Sequence, residues 1–363
     1  MTCSVRAGSN RSPQWLVLLV LVVASSVTAA CSATGTATPA TSTVPATPMN
    51  ASSRIISSGS ASSVPATTAS AARTAPKLLD ASRVVTSVLT VPAGQVMTVS
   101  RGANLRFASG ASLMVQGTLI VAGPASLSGA GWAGIVVAKG GSLDLRRASI
   151  AGATNAITVQ DGAKAALNHV TITGETSPFT VLDGGSLVLD TVTVARAREQ
   201  SFIDGVLTAT SLDYNKGEGE GFTAVKGTAQ ITIAHSRLSG DGPNTGDMLS
   251  MRSGNSLTVT STEITGAHCA FHLVGLNSLA LNHANIHDNA YGFMMYQTSS
   301  RGTRVITSSN IDNNRDYGID EGSASNTNGP ITVTNSYIAQ NGKDLALFTN
   351  AITVTSPATV PIR

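Results

Sequence analysis

Apolar residues return every 22 positions along the middle of this 363-residue chain. The positions that carry this interval most plainly are Val137, Val159, Val181, Ile203 and Val225. Within one interval, pairs such as Ile135 and Val137 alternate with polar residues, which is typical of strands with one buried face. An interval of this length matches one coil of a parallel β-helix. The pattern therefore predicts an all-β solenoid, a single-stranded parallel β-helix with three short strands per coil.

The spacing between apolar pairs predicts one fixed corner in each coil. The second and third pairs are separated by two residues, as between Leu145 and Ala148, whereas the other gaps vary in length. Gly and Asn interrupt the apolar runs, and β-branched residues dominate the inward positions, so helices are disfavoured. We expect later coils to resume at Met251, Leu273, Met295, Ile319 and Leu347. Roughly 10–12 coils stacked at about 4.8 Å give a rod near 55 Å long.

Residues 1–30 have the features of a signal peptide. Arg6 and Arg11 precede an apolar run, and small residues follow it as far as Ala30. This order of charged, apolar and small residues is typical of secretion across the inner membrane. The run is short for a membrane span.

The segment that ends at Cys31 resembles the lipobox of bacterial lipoproteins, although Thr28 stands where that family usually has an aliphatic residue. The resemblance implies that Cys31 is acylated and that the membrane is reached through this lipid anchor only. Ser32 in place of Asp implies outer-membrane or cell-surface localisation. The alternative is an ordinary secretory peptide cleaved near Ala30.

Composition divides the remaining chain into a tether and a β-helix. Residues 31–79 are rich in Ser, Thr, Ala and Pro and are predicted to be a disordered tether. Five of the 23 basic residues precede Asp80, which leaves 18 basic and 20 acidic residues in the predicted β-helix, 80–363. No stripe of Lys and Arg with interleaved aromatic residues is present, so we expect no nucleic-acid partner.

Three segments resemble the right-handed parallel β-helix superfamily, whose fold is pectate-lyase-like. They are the residues Trp132 to Ile135, Asn282 to Phe293 and Ser308 to Ile319. The resemblance covers about residues 85–363 and implies the fold. It leaves the activity open, because that superfamily includes lyases, hydrolases, a copper-handling branch, phage tailspikes and binding or structural proteins.

Asparagines and one cysteine have structural interpretations. Asn289, Asn314 and Asn341 each follow an inward residue by three positions, so we expect them to stack at one corner and bond each other and the backbone. Cys269 precedes Phe271 by two positions and is predicted to face inward as a small apolar residue.

The resemblance to the superfamily implies that the working surface is the outside of the first strand of each coil. Outward residues on this strip supply aromatic, charged and imidazole groups, and the candidates for ligand binding are Phe202, Asp204, Lys226, Arg252, His272 and Tyr296. Aromatic faces stack on sugars, and charged groups bond hydroxyls. We therefore predict a non-catalytic cell-envelope protein that binds an extended glycan or acts as a scaffold.

The alternative is an enzyme of the same fold. In a polysaccharide lyase acting on uronate polymers, Arg252 or Lys226 would be the base, and Ca²⁺ would be the cofactor. The candidate calcium ligands are Asp204, Glu218, Glu220, Asp241 and Asp247. No contiguous lyase motif surrounds them, and a surface ion-pair ladder is the simpler interpretation. Glycoside hydrolysis needs converging carboxylates, and the only adjacent acid pair is Asp320 with Glu321.

Histidines near Cys269 raise the possibility of a transition-metal site. The register predicts that Cys269 points inward while His272 and His283 point outward on different strands, so that the side chains diverge. The sequence therefore predicts no resident metal or cofactor.

Overall fold

The computed structural model of the chain describes residues 77–79, 82–174, 177–297, 302–323 and 328–362. These residues belong to one compact unit that spans 70–363. The predicted signal peptide 1–30, the acylation site Cys31 and the predicted tether as far as residue 76 lie outside the described residues. Within the described part, every regular element is a β-strand, and it holds no helix long and apolar enough to cross a membrane.

The strands are short and follow each other closely. In chain order they are β1 Lys77–Leu79, β2 Arg83–Val85, β3 Val88–Val91, β4 Val96–Val99, β5 Asn104–Phe107, β6 Ser112–Val115, β7 Thr118–Val121, β8 Ala125–Trp132, β9 Gly134–Val137, β10 Ser142–Arg146, β11 Ala148–Ala153, β12 Asn155–Val159, β13 Lys164–Thr173, β14 Ser177–Val181, β15 Ser186–Ala195, β16 Ser201–Ile203, β17 Val206–Thr210, β18 Asp213–Asn215, β19 Phe222–Ala224, β20 Gln230–Ala234, β21 Arg237–Ser239, β22 Leu249–Met251, β23 Ser256–Thr260, β24 Glu263–Thr265, β25 Cys269–Val274, β26 Ser278–Asn282, β27 Asn285–His287, β28 Tyr291–Tyr296, β29 Arg304–Thr307, β30 Asn310–Asp312, β31 Tyr317–Asp320, β32 Ile331–Thr334, β33 Tyr337–Ala339, β34 Lys343–Ala346 and β35 Ile352–Thr355.

Each coil contributes one strand to each of three parallel stacks, which confirms the predicted β-solenoid of about 22 residues per coil. The first strands of the coils form a 12-stranded parallel sheet, called the front sheet here, in the order β3-β6-β9-β12-β14-β16-β19-β22-β25-β28-β31-β34. Second and third strands form the other two stacks, which fuse where β13 and β15 run through both. Parallel stacking places residues one coil apart directly over each other.

The fold begins earlier than the sequence predicts. Strand β1 lies within the predicted tether, and Lys77, Leu78 and Leu79 pair with Met97, Thr98 and Val99 of β4. This strand therefore extends the second-strand stack by one rung at the amino-terminal end.

The predicted fixed corner between the second and third strands is present. In the coil that contains Leu145, the corner is made by Arg147, whose φ of 51° is in the left-handed region. Equivalent left-handed residues follow in later coils, among them His169, Thr191, Ser211, His235, Ser261, His283 and Ser308. One left-handed residue turns the chain sharply, which explains why this gap does not vary in length.

Apolar columns and an asparagine ladder stabilise the coils. Phe271 and Phe293 stack with ring centroids 4.4 Å apart inside the solenoid. The amide of Asn289 donates to Asn314 Oδ1 at 3.1 Å, and the amide of Asn314 donates to Asn341 Oδ1 at 2.9 Å. The predicted stacking of these three asparagines at one corner is confirmed.

The inward column predicted through Val225 is wrong at that residue. Val181 pairs with Ile203, but Phe202 pairs with Thr223, so Ala224 continues the column and pairs with Met251. Val225 is 50% exposed. The coil is one residue shorter than 22 here, and the Asp204 carboxylate accepts the Val225 N–H at 3.0 Å, which holds that residue in the turn that follows the strand.

A second register prediction is wrong near the carboxyl end. Ile319 pairs with Phe293 rather than continuing the column of Met295. The two possible partners of Ile319, Phe293 and Met295, are both apolar and lie two residues apart. The sequence pattern therefore permits either register. As a result Asp320 pairs with Met294 and shares an outward row with His272.

Candidate functional site

Polar side chains gather where the chain turns into the front sheet. We define the leading row as the residues that lie two positions before the first inward residue of each front-sheet strand. In this part of the sheet they are Glu220, Asp247, Cys269, Tyr291 and Tyr317. Cys269 pairs with Tyr291, and Tyr291 pairs with Tyr317. Parallel coils stack this row, so residues far apart in sequence become neighbours.

Asp247 contacts several polar groups of this site, through both carboxylate oxygens and its backbone N–H. Its Oδ1 lies 3.1 Å from His268 Nδ1 and accepts the Cys269 backbone N–H at 3.1 Å. Its Oδ2 lies 2.6 Å from His272 Nδ1, and its own N–H donates to Glu220 at 2.9 Å. We call Glu220, Asp247, His268 and His272 the Asp247 cluster.

The two carboxyl groups of the cluster have different protonation behaviour. Burial raises the pKa of Asp247, but hydrogen bonds from His272 and His268 outweigh this effect and lower the pKa to about 2. Burial and the neighbouring Asp247 charge raise the pKa of the Glu220 carboxyl above its usual value. The pair therefore combines a firmly ionised carboxylate with one that holds a proton more readily.

A buried lysine supports the loops that carry the two carboxyl groups. Lys216 Nζ donates to the Gly219 carbonyl at 2.6 Å and to Thr245 Oγ1 at 2.8 Å. Burial lowers its pKa to about 8, against the opposing charges of Glu220 and Asp247. This lysine ties the loop before β19 to the loop before β22 and thereby sets where Glu220 and Asp247 lie.

Tyrosine rings extend the site along the front sheet. Tyr291 and Tyr317 stack with centroids 5.3 Å apart, and Tyr291 meets His268 edge-on at 5.2 Å. Tyr296 meets His272 edge-on at 5.8 Å. Burial and the nearby Asp320 charge contribute to a raised pKa of Tyr296, so its hydroxyl stays protonated at neutral pH. The half-buried tyrosine rings and the Asp247 cluster therefore lie side by side along the front sheet.

The structure brings some of the predicted ligand-binding residues together. Phe202, which is 40% exposed, shares an outward row of the front sheet with His272, three strands away. Tyr296 contacts His272. Arg252 is exposed where expected, directly after Met251.

Asp204 and Lys226 are used differently from the prediction. The Asp204 carboxylate accepts the Lys226 N–H at 2.9 Å and so shapes the turn after β19. Lys226 lies in that turn, because the register correction puts Val225 in the outward position predicted for the lysine. The predicted run of charged outward residues is therefore interrupted.

The five candidate calcium ligands occupy different places. Glu220 and Asp247 meet in the Asp247 cluster. Asp241 forms an ion pair with Arg196 at 2.8 Å, Glu218 is exposed on the loop before β19, and Asp204 is engaged in its turn.

The predicted divergence of the histidines from Cys269 is wrong for His268, whose imidazole lies beside the thiol, whereas His272 contacts Asp247. Period-two alternation describes residues within a straight strand, whereas Asp247 and His268 lie in the bend just before one. Asp247 therefore reaches both imidazoles, and Cys269 Sγ lies 3.4 Å from His268 Nδ1. Burial raises the pKa of the Cys269 thiol well above its usual value. His283 is remote from this group, at the fixed corner.

Sequence reasoning missed the contribution of Tyr291 and Tyr317. A signal was present, because each tyrosine is followed by glycine. A Cβ on Gly318 would lie 2.8 Å from Asn341 Nδ2, and one on Gly292 would lie 2.5 Å from the Gly318 carbonyl. The glycine after each tyrosine is therefore required by close packing between neighbouring coils.

No known family profile matches the chain, and no curated protein matches it. Among solved structures, the chain is similar to the catalytic domain of a GH87 α-1,3-glucanase variant in complex with nigerose. The TM-score is 0.41 at 11% identity, and the match covers 76% of this chain and 62% of that one. The function of this parallel β-solenoid therefore has to be inferred from its own side chains.

Proposed function

We propose that the outer face of the front sheet binds an extended glycan. The observation that carries this proposal is the continuity of aromatic rings with hydrogen-bonding groups, from Phe202 through the Asp247 cluster to Tyr317. Phe202 is exposed and Tyr291 is half-buried, so both rings offer apolar surface against which a sugar can pack. His268 and His272, whose side chains are partly exposed, supply ring nitrogens that can hydrogen-bond hydroxyl groups.

The length of this surface suits a polymer. Phe202 lies on β16 and Tyr317 on β31, so the surface crosses six successive strands of the front sheet. Five strand spacings of about 4.8 Å make it roughly 24 Å long. Such a length accommodates several sugar units in a row.

A glycan array that includes neutral, uronate and amino-sugar polymers tests the proposal. We expect binding that Tyr291→Ala and Tyr296→Ala each weaken, because each removes a partly exposed ring and its hydroxyl from the surface. The matched control is Val188→Ala, which removes an exposed apolar side chain of β15, outside the front sheet. Binding that all three variants retain equally would contradict the proposal, as would an array without signal.

Glycoside hydrolysis is a second candidate function, favoured by the carboxyl pair. Hydrolases of glycosidic bonds use one carboxyl group as acid and another as base or nucleophile. Groups whose environments push their pKa values apart are suited to such a division of roles. By this logic Glu220, with its raised pKa, would be the acid and Asp247 the ionised partner.

Release of reducing ends from the polysaccharide bound best on the array tests this second candidate. Glu220→Gln should abolish release, and so should Asp247→Asn. Glu218→Gln is the matched control, since Glu218 lies on the same loop but is exposed. If wild-type protein binds the polymer and releases no reducing ends, binding stands alone. Lyase chemistry would instead give unsaturated products that depend on Arg252 or Lys226.

We also propose that the β-solenoid is held at the membrane by a lipid on Cys31. The support is the sequence of residues 1–31, with its charged, apolar and small-residue regions. Cys31→Ser should release the protein from the membrane fraction and abolish incorporation of labelled fatty acid. Continued labelling of the Cys31→Ser variant would contradict this assignment.

A further inference from the structure

Three side chains with different donor atoms converge beside the proposed glycan surface. They are Asp247, His268 and Cys269, and their oxygen, nitrogen and sulfur atoms all lie within 4.8 Å of one another. His268 Nδ1 lies 3.1 Å from Asp247 Oδ1 and 3.4 Å from Cys269 Sγ. A tetrahedral zinc site with bonds of about 2.0–2.3 Å separates its ligand atoms by about 3.3–3.8 Å. The three donors therefore already have nearly the spacing of such a site.

We propose that Asp247, His268 and Cys269 bind one divalent transition-metal ion of the zinc type. The donor set determines the class of metal. Calcium and magnesium are bound through oxygen, whereas imidazole and thiolate favour zinc and its neighbours among the transition metals. This site goes beyond the glycan surface, and its existence does not depend on glycan binding.

The ligands are held in place before any ion arrives. The Asp247 carboxylate is fixed by the Cys269 N–H and by His272, which lies 2.6 Å from its second oxygen. Cys269 belongs to β25 and is buried, so its sulfur has little freedom to move. Contacts such as that of His272 orient a ligating group and sustain metal affinity. The ordering cost of assembling the site is therefore small.

An ion can reach the site from solvent. The His268 side chain is 42% exposed, whereas that of Asp247 is nearly buried beneath it. Three protein ligands leave one position of a tetrahedral ion vacant, and zinc sites of this kind hold water or a ligand there. The Tyr291 ring of the proposed glycan surface packs against His268, so the metal site adjoins that surface.

Isothermal titration of zinc chloride into the chelator-treated full chain, prepared without a polyhistidine tag, tests the proposal. We expect one equivalent to bind with a submicromolar dissociation constant. Losing a supporting contact costs about 10–100-fold in metal affinity, and losing a ligand should cost more. His268→Gln should therefore weaken binding by more than about 100-fold. His283→Gln, at an exposed corner, is the matched control and should change nothing.

Cobalt(II) provides a second readout that identifies the sulfur ligand. The wild-type protein should show thiolate-to-cobalt charge-transfer absorption, and Cys269→Ser should lose it. Cys269 is buried, so circular dichroism must first establish that Cys269→Ser folds. If it does not fold, the zinc titration of His268→Gln still tests the proposal, because the His268 side chain is half-exposed. Absence of zinc binding, zinc affinity unchanged in His268→Gln, or a cobalt complex without the thiolate band would each overturn the proposal.

Discussion

Replacing Asn314 with alanine should remove the central rung of the asparagine ladder. The Asn314 side chain accepts the Asn289 N–H at 3.2 Å and its amide at 3.1 Å. It donates to the Ile286 carbonyl at 3.2 Å and to Asn341 Oδ1 at 2.9 Å. A net contribution of about 0.5–1.5 kcal/mol for each of these bonds gives a loss of roughly 2–6 kcal/mol in the free energy of unfolding.

Urea unfolding followed by far-ultraviolet circular dichroism measures this loss. Asn350→Ala is the control, because Asn350 is exposed and follows the last front-sheet strand. We expect the control to stay within about 0.5 kcal/mol of the wild type. The reasoning is refuted if Asn314→Ala is no more destabilising than Asn350→Ala, since the ladder would then contribute nothing to holding the coils together.

Three further predictions concern the register, the core and pH. Ala224→Asp should prevent folding, because it buries a carboxylate, while Val225→Asp should be tolerated; equal soluble yields would contradict the corrected register. Phe271→Ala should cost about 3–5 kcal/mol of stability through loss of its stack on Phe293, measured by urea unfolding, and a loss below about 1 kcal/mol would exclude that packing. The pKa of Lys216 is about 8 in the folded protein and has its ordinary value of 10.5 in the unfolded chain. As the pH rises through this interval, the free energy of unfolding of the wild type should therefore increase relative to that of Lys216→Met. A constant or falling difference would show that the pKa is not lowered.

The fold was predictable because a solenoid repeats one local rule. Phe271 and Phe293 lie 22 residues apart, each in an alternating run, and period-two alternation in every coil leaves one inward face. The rule fails where coil length changes. Val225 fits the apolar interval better than Ala224, but the coil is shortened and the Asp204 carboxylate accepts the Val225 N–H, so the smaller residue lies inside. Local packing at the turn decides which of the two residues faces inward, and the apolar period does not predict that packing.

The site was predictable only in part, for a related reason. Phe202, His272 and Tyr296 lie on strands, where alternation fixes their outward direction. Asp247 and His268 lie in bends, and their meeting depends on how two loops of different length fold over each other. The buried Lys216, which joins those loops, has a charge that suggests a surface position from sequence. Its burial follows from tertiary packing alone.

The proposed glycan would lie on the outer face of the front sheet, beside the Asp247 cluster. A crystal structure of the protein with the oligosaccharide that binds best on the array tests this most directly. We expect sugar units beside Tyr291 and Tyr296, with hydroxyl groups in hydrogen-bond reach of His268 or His272. Sugar bound on either of the other two stacks, with the front sheet free, would contradict it.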